Sequence, residues 1–181
     1  VNRDFLRMLK LKEPVLKINT IGCRVCRPNY RERLRKYYRE RKSKLCRDCA
    51  RRYDKNPLRL LDCKEEECQK LKAEAPIILD YLCQNCNNHF RGVLELIEDN
   101  GVVYEPDPHL VRGLDYYNRT VFEFFAASGQ GDALVGGGRY DYLSESLGGR
   151  FLPSVGSSIG LERLIEALQE EGVTPKEKND K

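Results

Sequence analysis

No run of about 18 apolar residues occurs in this 181-residue chain, so nothing in it can cross a membrane as a helix. Residues Val1–Lys10 mix charged and apolar side chains, which excludes a secretory signal. Both absences point to a cytoplasmic protein. Aromatic residues are few, 9% against 33% charged, so the core must be modest. Gly136-Gly137-Gly138 is not followed by GK[ST], which excludes a P-loop. No internal repeat is evident beyond paired cysteines, so one domain, or a domain with an insertion, is expected. Val1 is not a natural first residue, and Asn2–Leu11 reads as the tail of an amphipathic helix already in progress. The expectation is that a larger protein's N-terminal side is missing.

What is present is unevenly spread. Arg24–Lys55 holds fourteen Lys and Arg against four Asp and Glu, within a chain whose formal net charge is only +4. Tyr30, Tyr37, Tyr38 and Tyr53 lie in the same block. Basic residues interleaved with tyrosines suit phosphate neutralisation and base stacking on nucleic acid. A solvated, highly charged helix is the plain alternative.

Val15–Thr20 alternates and is β-prone, so it reads as a strand. Helices are expected over Arg31–Ser43, Leu45–Tyr53, Cys63–Lys72 and Leu79–Glu98, with Asn56-Pro57 and Asn100-Gly101 as breaks. From Val102 strands take over, at Val102–Glu105, Tyr116–Ala126 and Ala133–Gly136, before a helix at Leu161–Leu168. The organisation expected is residues 1–23 as a sheet-bearing segment, 24–100 as a helical, cysteine-rich basic insertion, 101–170 as a second sheet-bearing segment, and 171–181 as a disordered tail.

Eight cysteines sit at Cys23, Cys26, Cys46, Cys49, Cys63, Cys68, Cys83 and Cys86. Three pairs are C-x2-C and one is C-x4-C. Short spacing lets two sulfurs converge on one ion through a tight knuckle, and eight thiolates can fill two closed tetrahedral zinc sites. Free thiols, disulfides and redox pairs are the alternatives, with disulfides disfavoured in a cytosolic chain. The simplest grouping by order is Cys23, Cys26, Cys46, Cys49 and then Cys63, Cys68, Cys83, Cys86; interleaved groupings stay open. His89 could replace one thiolate, or be a surface helix histidine. Two filled sites would lower the formal charge to about zero.

The densest chemistry lies in Val111–Phe124, VRGLDYYNRTVFEF. Read as a strand throughout, period-two alternation puts Arg112, Leu114 and Tyr116 on one face and Gly113, Asp115 and Tyr117 on the other. Such a strand mouth can aim a cation, an anion and phenol hydroxyls at a small polar ligand.

This stretch resembles the histidine-specific signature of histidyl-tRNA synthetases, which are class II aminoacyl-tRNA ligases. Leu134–Asp141 (LVGGGRYD) resembles the second histidine-specific segment of that family. Pro153–Leu164 (PSVGSSIGLERL) resembles class II motif 3, a strand turning into a helix. Cys26–Tyr30 (CRPNY) and Asn56–Cys63 (NPLRLLDC) are similar to the helical insertion of the bacterial branch. The resemblance spans Ile18 to Leu168 and implies an α+β fold: a partial antiparallel sheet of the class II type carrying a helical, zinc-stapled insertion.

The resemblance also implies roles. Arg112 would be catalytic and meet the α-phosphate of ATP. Gly160 and Arg163 would complete the ATP site, with magnesium entering as part of the nucleotide complex. Asp115, Tyr116, Tyr117, Gly137 and Tyr140 would bind L-histidine, with Asp115 equally able to orient the arginine or the tyrosines. Arg31, Arg35 and Arg39 would contact tRNA(His). Zinc would be an accessory staple, and the full-length protein a homodimer. Asn118-Arg119 and Tyr142 depart mildly from the family pattern. Nothing matches motif 1 or motif 2, so the chain alone is expected not to charge tRNA. A histidine-binding regulatory paralogue and a zinc-containing RNA-binding module are the competing expectations.

Overall fold

A computed structural model describes residues 1–127, 129 and 131–173; the expected disorder of Thr174–Lys181 lies outside the described residues. A five-stranded sheet is its frame. The strands are β1 (Val15–Thr20), β2 (Tyr104–Pro106), β3 (Asn118–Phe125), β4 (Val135–Arg139) and β5 (Val155–Ile159). They lie in the order β2-β1-β3-β4-β5, with β1 and β2 parallel and the other pairs antiparallel. The expected α+β class with a largely antiparallel sheet is thus observed.

Alternation sorts the two faces. Leu16 and Phe124 are buried on one side, in a core completed by Leu6 and Leu11 from the N-terminal helix α1 (Asn2–Met8) and its exit, and by Leu134, Val135, Leu164 and Ala167. Val121 turns to the other face and joins a second core built mainly from helices between β1 and β2. These are α2 (Cys26–Arg39), α3 (Arg47–Lys55) and α4 (Glu66–Ala73); the next helix, α5 (Gln84–Asp99), places its Cys86 in a separate small cluster with Cys23 and Cys26. α2 presents Cys26, Tyr30, Leu34 and Tyr38 at i, i+4 spacing, and all four are buried. Each such large side chain contributes about 1.5–3 kcal/mol when removed from water.

Local chemistry sets the boundaries. Cys46 caps α3 by accepting the Cys49 amide on its sulfur, and Asn56-Pro57 ends that helix before a 3-10 turn over Pro57–Leu60. α5 stops at Asn100 because Gly101 takes φ +61, a left-handed value that glycine adopts without steric cost. α5 also begins later than expected: Ile78–Tyr81 is a separate 3-10 turn and the chain is extended at Leu82 and Cys83. After β4 come α6 (Leu143–Ser146), β5 and α7 (Leu161–Glu170). Among the described residues, no helix is long and apolar enough to cross a membrane.

Candidate functional site

The segment from Val111 to Tyr117 is not a strand. It bends at Gly113 and Leu114 and turns at Asp115 and Tyr116, and β3 begins only at Asn118. The expected alternation of Arg112, Leu114 and Tyr116 against Gly113, Asp115 and Tyr117 is therefore corrected. The insertion draws the bend toward itself: Arg59 donates to the Gly113 carbonyl, and Asn56 donates to the Asp115 carboxylate. Asp115 is exposed and faces that insertion residue.

Because of the bend, Arg112 and Tyr117 lie together, with the guanidinium 5.8 Å from the Tyr117 ring centroid. Tyr116 and Tyr117 are 4.6 Å apart between centroids, and Tyr140 meets both edge-on at 5.6 and 5.8 Å. Three phenols thus form one cluster. Burial pushes the Tyr117 hydroxyl upward, as does neighbouring Tyr116, while Arg112 opposes.

Glycines make the floor. β3 pairs with β4 so that Glu123 opposes Gly136, and β4 with β5 so that Gly138 opposes Gly156. A side chain at Gly136 would collide with the Arg112 guanidinium. One at Gly138 would lie 3.1 Å from the Tyr117 ring, and one at Gly156 would collide with the Tyr140 hydroxyl. Gly137 turns the other way, toward Phe122 on the opposite face.

Arg112 forms an ion pair with Glu123, and both side chains are largely shielded. Burial raises the Glu123 carboxyl above its usual value, although Arg112 pulls it back. Arg112 and Arg163 line one cavity of about 590 Å³, together with Gly136, Ser158 and Gly160. Arg163 is half-exposed, 3.3 Å from Asp132 and 3.1 Å from the Ala133 carbonyl. Each arginine is therefore held by a carboxylate at the cavity wall. Motif reasoning misses Asp132; Glu123, an acid mid-strand among phenylalanines, stands out in the sequence as a residue for the sheet face but without an assigned partner.

A buried carboxylate pins the floor's edge. Asp141 accepts from the Asn118 amide group at 2.9 Å, Arg139 at 2.8 Å and the Ser154 backbone at 3.1 Å. Burial alone would raise it, but these donors outweigh that and hold its carboxyl below the ordinary 3.8.

The sulfurs converge in two groups, Cys23, Cys26, Cys83 and Cys86, and Cys46, Cys49, Cys63 and Cys68, each with all ligand atoms within 4.8 Å of one another. The grouping by sequence order is overturned, because α5 returns its N-terminus to the exit of β1. Sγ–Sγ distances are 3.7 and 3.9 Å in the first group and 3.8 Å in the second. A tetrahedral zinc with Zn–S bonds of about 2.3 Å needs sulfurs about 3.8 Å apart, so both groups fit that ion. Disulfide bonds would need about 2.05 Å. Burial opposes ionisation of Cys23, yet backbone donors at Cys26 and Val25 and adjacent thiols bring it down to about 7. His89 belongs to neither group; half-buried, it lines an apolar cavity on the sheet's other face with Leu16 and Phe122.

α2 carries Arg31, Arg35 and Arg39 at four-residue spacing on one side. Arg35 and Arg39 are exposed and Arg31 is half-buried. Arg35 also reaches the Asp54 carbonyl at 3.2 Å.

The sheet and its flanking helices share their fold with solved aminoacyl-tRNA synthetases. The apo histidyl-tRNA synthetase of S. aureus superposes with a TM-score of 0.71 at 33% identity, over 96% of this chain and 42% of that one. A histidine–tRNA ligase of Halothermothrix orenii is 48% identical over 94% of this chain and 41% of its own length. One from Acetivibrio thermocellus is 46% identical over 93% and 41%. The histidyl-tRNA synthetase family model matches residues 26–164, and the chain belongs to that family. It spans about two fifths of the length of these curated relatives.

Proposed function

We propose that this chain supplies the histidine-recognition side of a histidine–tRNA ligase, with the motif 3 half of its ATP site and its tRNA-facing insertion. The observation that carries this is the meeting of Arg112, Tyr116, Tyr117 and Tyr140 over Gly136, Gly138 and Gly156, beside a cavity that also holds Arg163. In the reaction, a carboxylate oxygen of histidine attacks the α-phosphorus of ATP, and pyrophosphate leaves. The acyl group of the resulting adenylate then passes to a terminal hydroxyl of tRNA(His), and AMP leaves. Negative charge grows on the α-phosphate in the first transition state. A preorganised arginine facing it lowers the barrier more than it tightens substrate binding.

Arg112 fits that role, because Glu123 fixes its guanidinium at the cavity wall before any substrate arrives. Arg163, with Gly160 at the helix start, suits the nucleotide, magnesium arriving with ATP. The phenols of Tyr116, Tyr117 and Tyr140 suit the imidazole and amine of histidine, since a shielded hydroxyl left unpaired penalises an apolar analogue. Asp115, turned to Asn56, acts by setting the bend. Gly137 serves through its backbone.

Residues 24–100 form the insertion that meets tRNA(His), with Arg31, Arg35 and Arg39 on phosphates. Zinc in both cysteine groups would cross-link this insertion and take no part in the chemistry. Thiol ligands suit a reducing cytoplasm. The chain alone is inactive in charging, since it has no residues matching motif 1 or motif 2, and the whole ligase is a homodimer.

Calorimetric titration with L-histidine and with L-phenylalanine tests the site: saturable binding of histidine alone is expected. Equal binding of both, or of neither, overturns it. Histidine-dependent pyrophosphate exchange by this chain at rates typical of a whole ligase would contradict its inactivity.

A further inference from the structure

The Cys23–Cys26–Cys83–Cys86 group is knitted to the segments that carry the tyrosines. Gly22, one residue before the first sulfur, accepts the Arg119 amide at 2.8 Å, and Arg119 returns its carbonyl to the Ile21 amide at 2.7 Å. Arg119 sits at φ 53, where β3 slips register between Asn118 and Val121. A non-glycine residue keeps that left-handed conformation only where its surroundings over-determine it. Gly22 has φ +65, and a Cβ there would lie 2.8 Å from the Cys26 Cβ, so strand exit and sulfur knuckle pack without a gap. Arg27, directly after the second cysteine, donates from Nε to the Ile21 carbonyl at 3.1 Å and from a terminal nitrogen to the Tyr117 carbonyl. Arg24, between the two cysteines, lies 3.8 Å over the Tyr142 ring and pairs with Glu145 at 3.0 Å.

The other group differs. Its segment reaches the site through Asn56 to Asp115, Arg59 to Gly113 and Lys64 to Asp132, all upstream or downstream of the β3 bulge.

We propose that the Cys23–Cys26–Cys83–Cys86 centre is a positioning device for the tyrosine cluster. Closed around its ion, it fixes Gly22 and Arg27, and these hold the Tyr117–Arg119 bulge and thereby the Tyr117 ring. Arg27 is a positioning residue: its contacts are two backbone carbonyls, and it acts on the ligand only through Tyr117. The consequence for histidine rests on the function proposed above; the consequence for the bulge rests on geometry alone.

Hydrogen exchange by mass spectrometry on the zinc-loaded chain tests it, read at peptides covering residues 117–122. Arg27→Ala should speed exchange of the Arg119 amide about ten-fold or more, because the ties that Arg27 makes to Ile21 and Tyr117, on either side of that amide's hydrogen bond to Gly22, are lost. Arg27→Lys should restore part of the protection, since one ammonium can serve one carbonyl. Cys23→Ser with Cys26→Ser should do at least as much as Arg27→Ala, while Cys46→Ser with Cys49→Ser should leave the Arg119 amide within about two-fold of the parent. If the cysteine variants fail to fold, Arg27→Ala lies outside the ligand set and carries the test. Histidine affinity, measured alongside, should fall about ten-fold in Arg27→Ala. Unchanged Arg119 exchange in Arg27→Ala, or equal exposure after loss of either cysteine group, overturns the positioning role. Faster exchange with unchanged histidine affinity overturns its functional half. A parent chain that binds no histidine refutes the site itself, and the exchange data still decide the positioning.

Discussion

Cys23 and Cys83 lie 60 residues apart, whereas Cys46 and Cys63 lie 17 apart, yet each pair belongs to a four-sulfur group of the same shape. Loop length alone separates them little: closing the longer loop costs about 1 kcal/mol more entropy. Surroundings separate them more. Cys49, Cys63 and Cys68 sit inside the large insertion core with Tyr38, Tyr53, Leu60 and Leu61. Cys23, Cys26 and Cys86 form a small cluster of their own, and among the described residues Leu82 and Cys83 are the partly buried hydrophobic ones packed against it. One group reinforces a core that hydrophobic burial already supports. The other is the main tie between α5, α2 and the exit of β1. Equivalent ligand chemistry therefore carries unequal structural weight.

Thermal unfolding can break this comparison, and it should show the largest effect. Cys83→Ser with Cys86→Ser should lower Tm by more than about 10 °C, and Cys63→Ser with Cys68→Ser by about half as much. Equal losses would mean that the core around Tyr38 and Tyr53 does not support the second group independently. Stripping metal with a chelator should bring the two variants closer together, since each variant's remaining thiolate centre is then lost as well.

A metal-free tether of the same bulge supplies the next contrast. Asp141 holds Asn118, Arg139 and the Ser154 amide without any ion. Asp141→Ala strands these donors in a shielded place and should cost about 3 kcal/mol in denaturant unfolding. Since the folded carboxyl lies below the ordinary 3.8, its stabilisation is complete above that value and is lost as pH falls through the lower folded one. Asp141→Asn should accordingly flatten the acid limb of the stability profile. A parent profile flat down to pH 2, roughly two units below the ordinary carboxylate range, would contradict the tether.

Much of this was readable in the residues, and the failures share a cause. β1 was bounded correctly because VLKINT alternates between turn-like flanks. The arginine, tyrosine and glycine segments stand out in the sequence by their density of polar residues and by their resemblance to a family's motifs. Sequence order could not group the cysteines, since the pairing follows from α5 folding back across 60 residues. The start of β3 was misjudged because Asn56 and Arg59, far upstream, pull Gly113–Asp115 into a bend. The glycine run hid a phase: Gly136 faces Arg112 and Gly138 faces Tyr117, while Gly137 turns to the opposite face, a consequence of register with β3. Each miss depended on a long-range contact that no local pattern encodes.

Glu123→Gln probes the arginine side, away from both sulfur groups. The amide keeps one hydrogen bond to Arg112 but removes the charge, so stability should fall by about 1 kcal/mol. Arg112, no longer neutralised, should bind inorganic pyrophosphate more tightly, with a steeper dependence on salt. An unchanged pyrophosphate affinity would mean that Glu123 does not restrain the arginine.

Lys64→Ala should have the smallest effect and sharpens the comparison from its weak end. Lys64 follows Cys63 and pairs with Asp132, which also faces Arg163, so it links the second sulfur group to Arg163. Its side chain is 78% exposed and that of Asp132 45%. An exposed pair of this kind contributes roughly 0–1 kcal/mol and is screened by salt. Lys64→Ala should therefore leave Tm nearly unchanged while releasing Asp132 to hold Arg163 alone. Weaker ATP binding without loss of stability is expected, most visibly at low ionic strength. A stability loss as large as that of Asp141→Ala would place the second sulfur group on an equal footing with the first, and the division between a core-backed centre and a tethering one would fall.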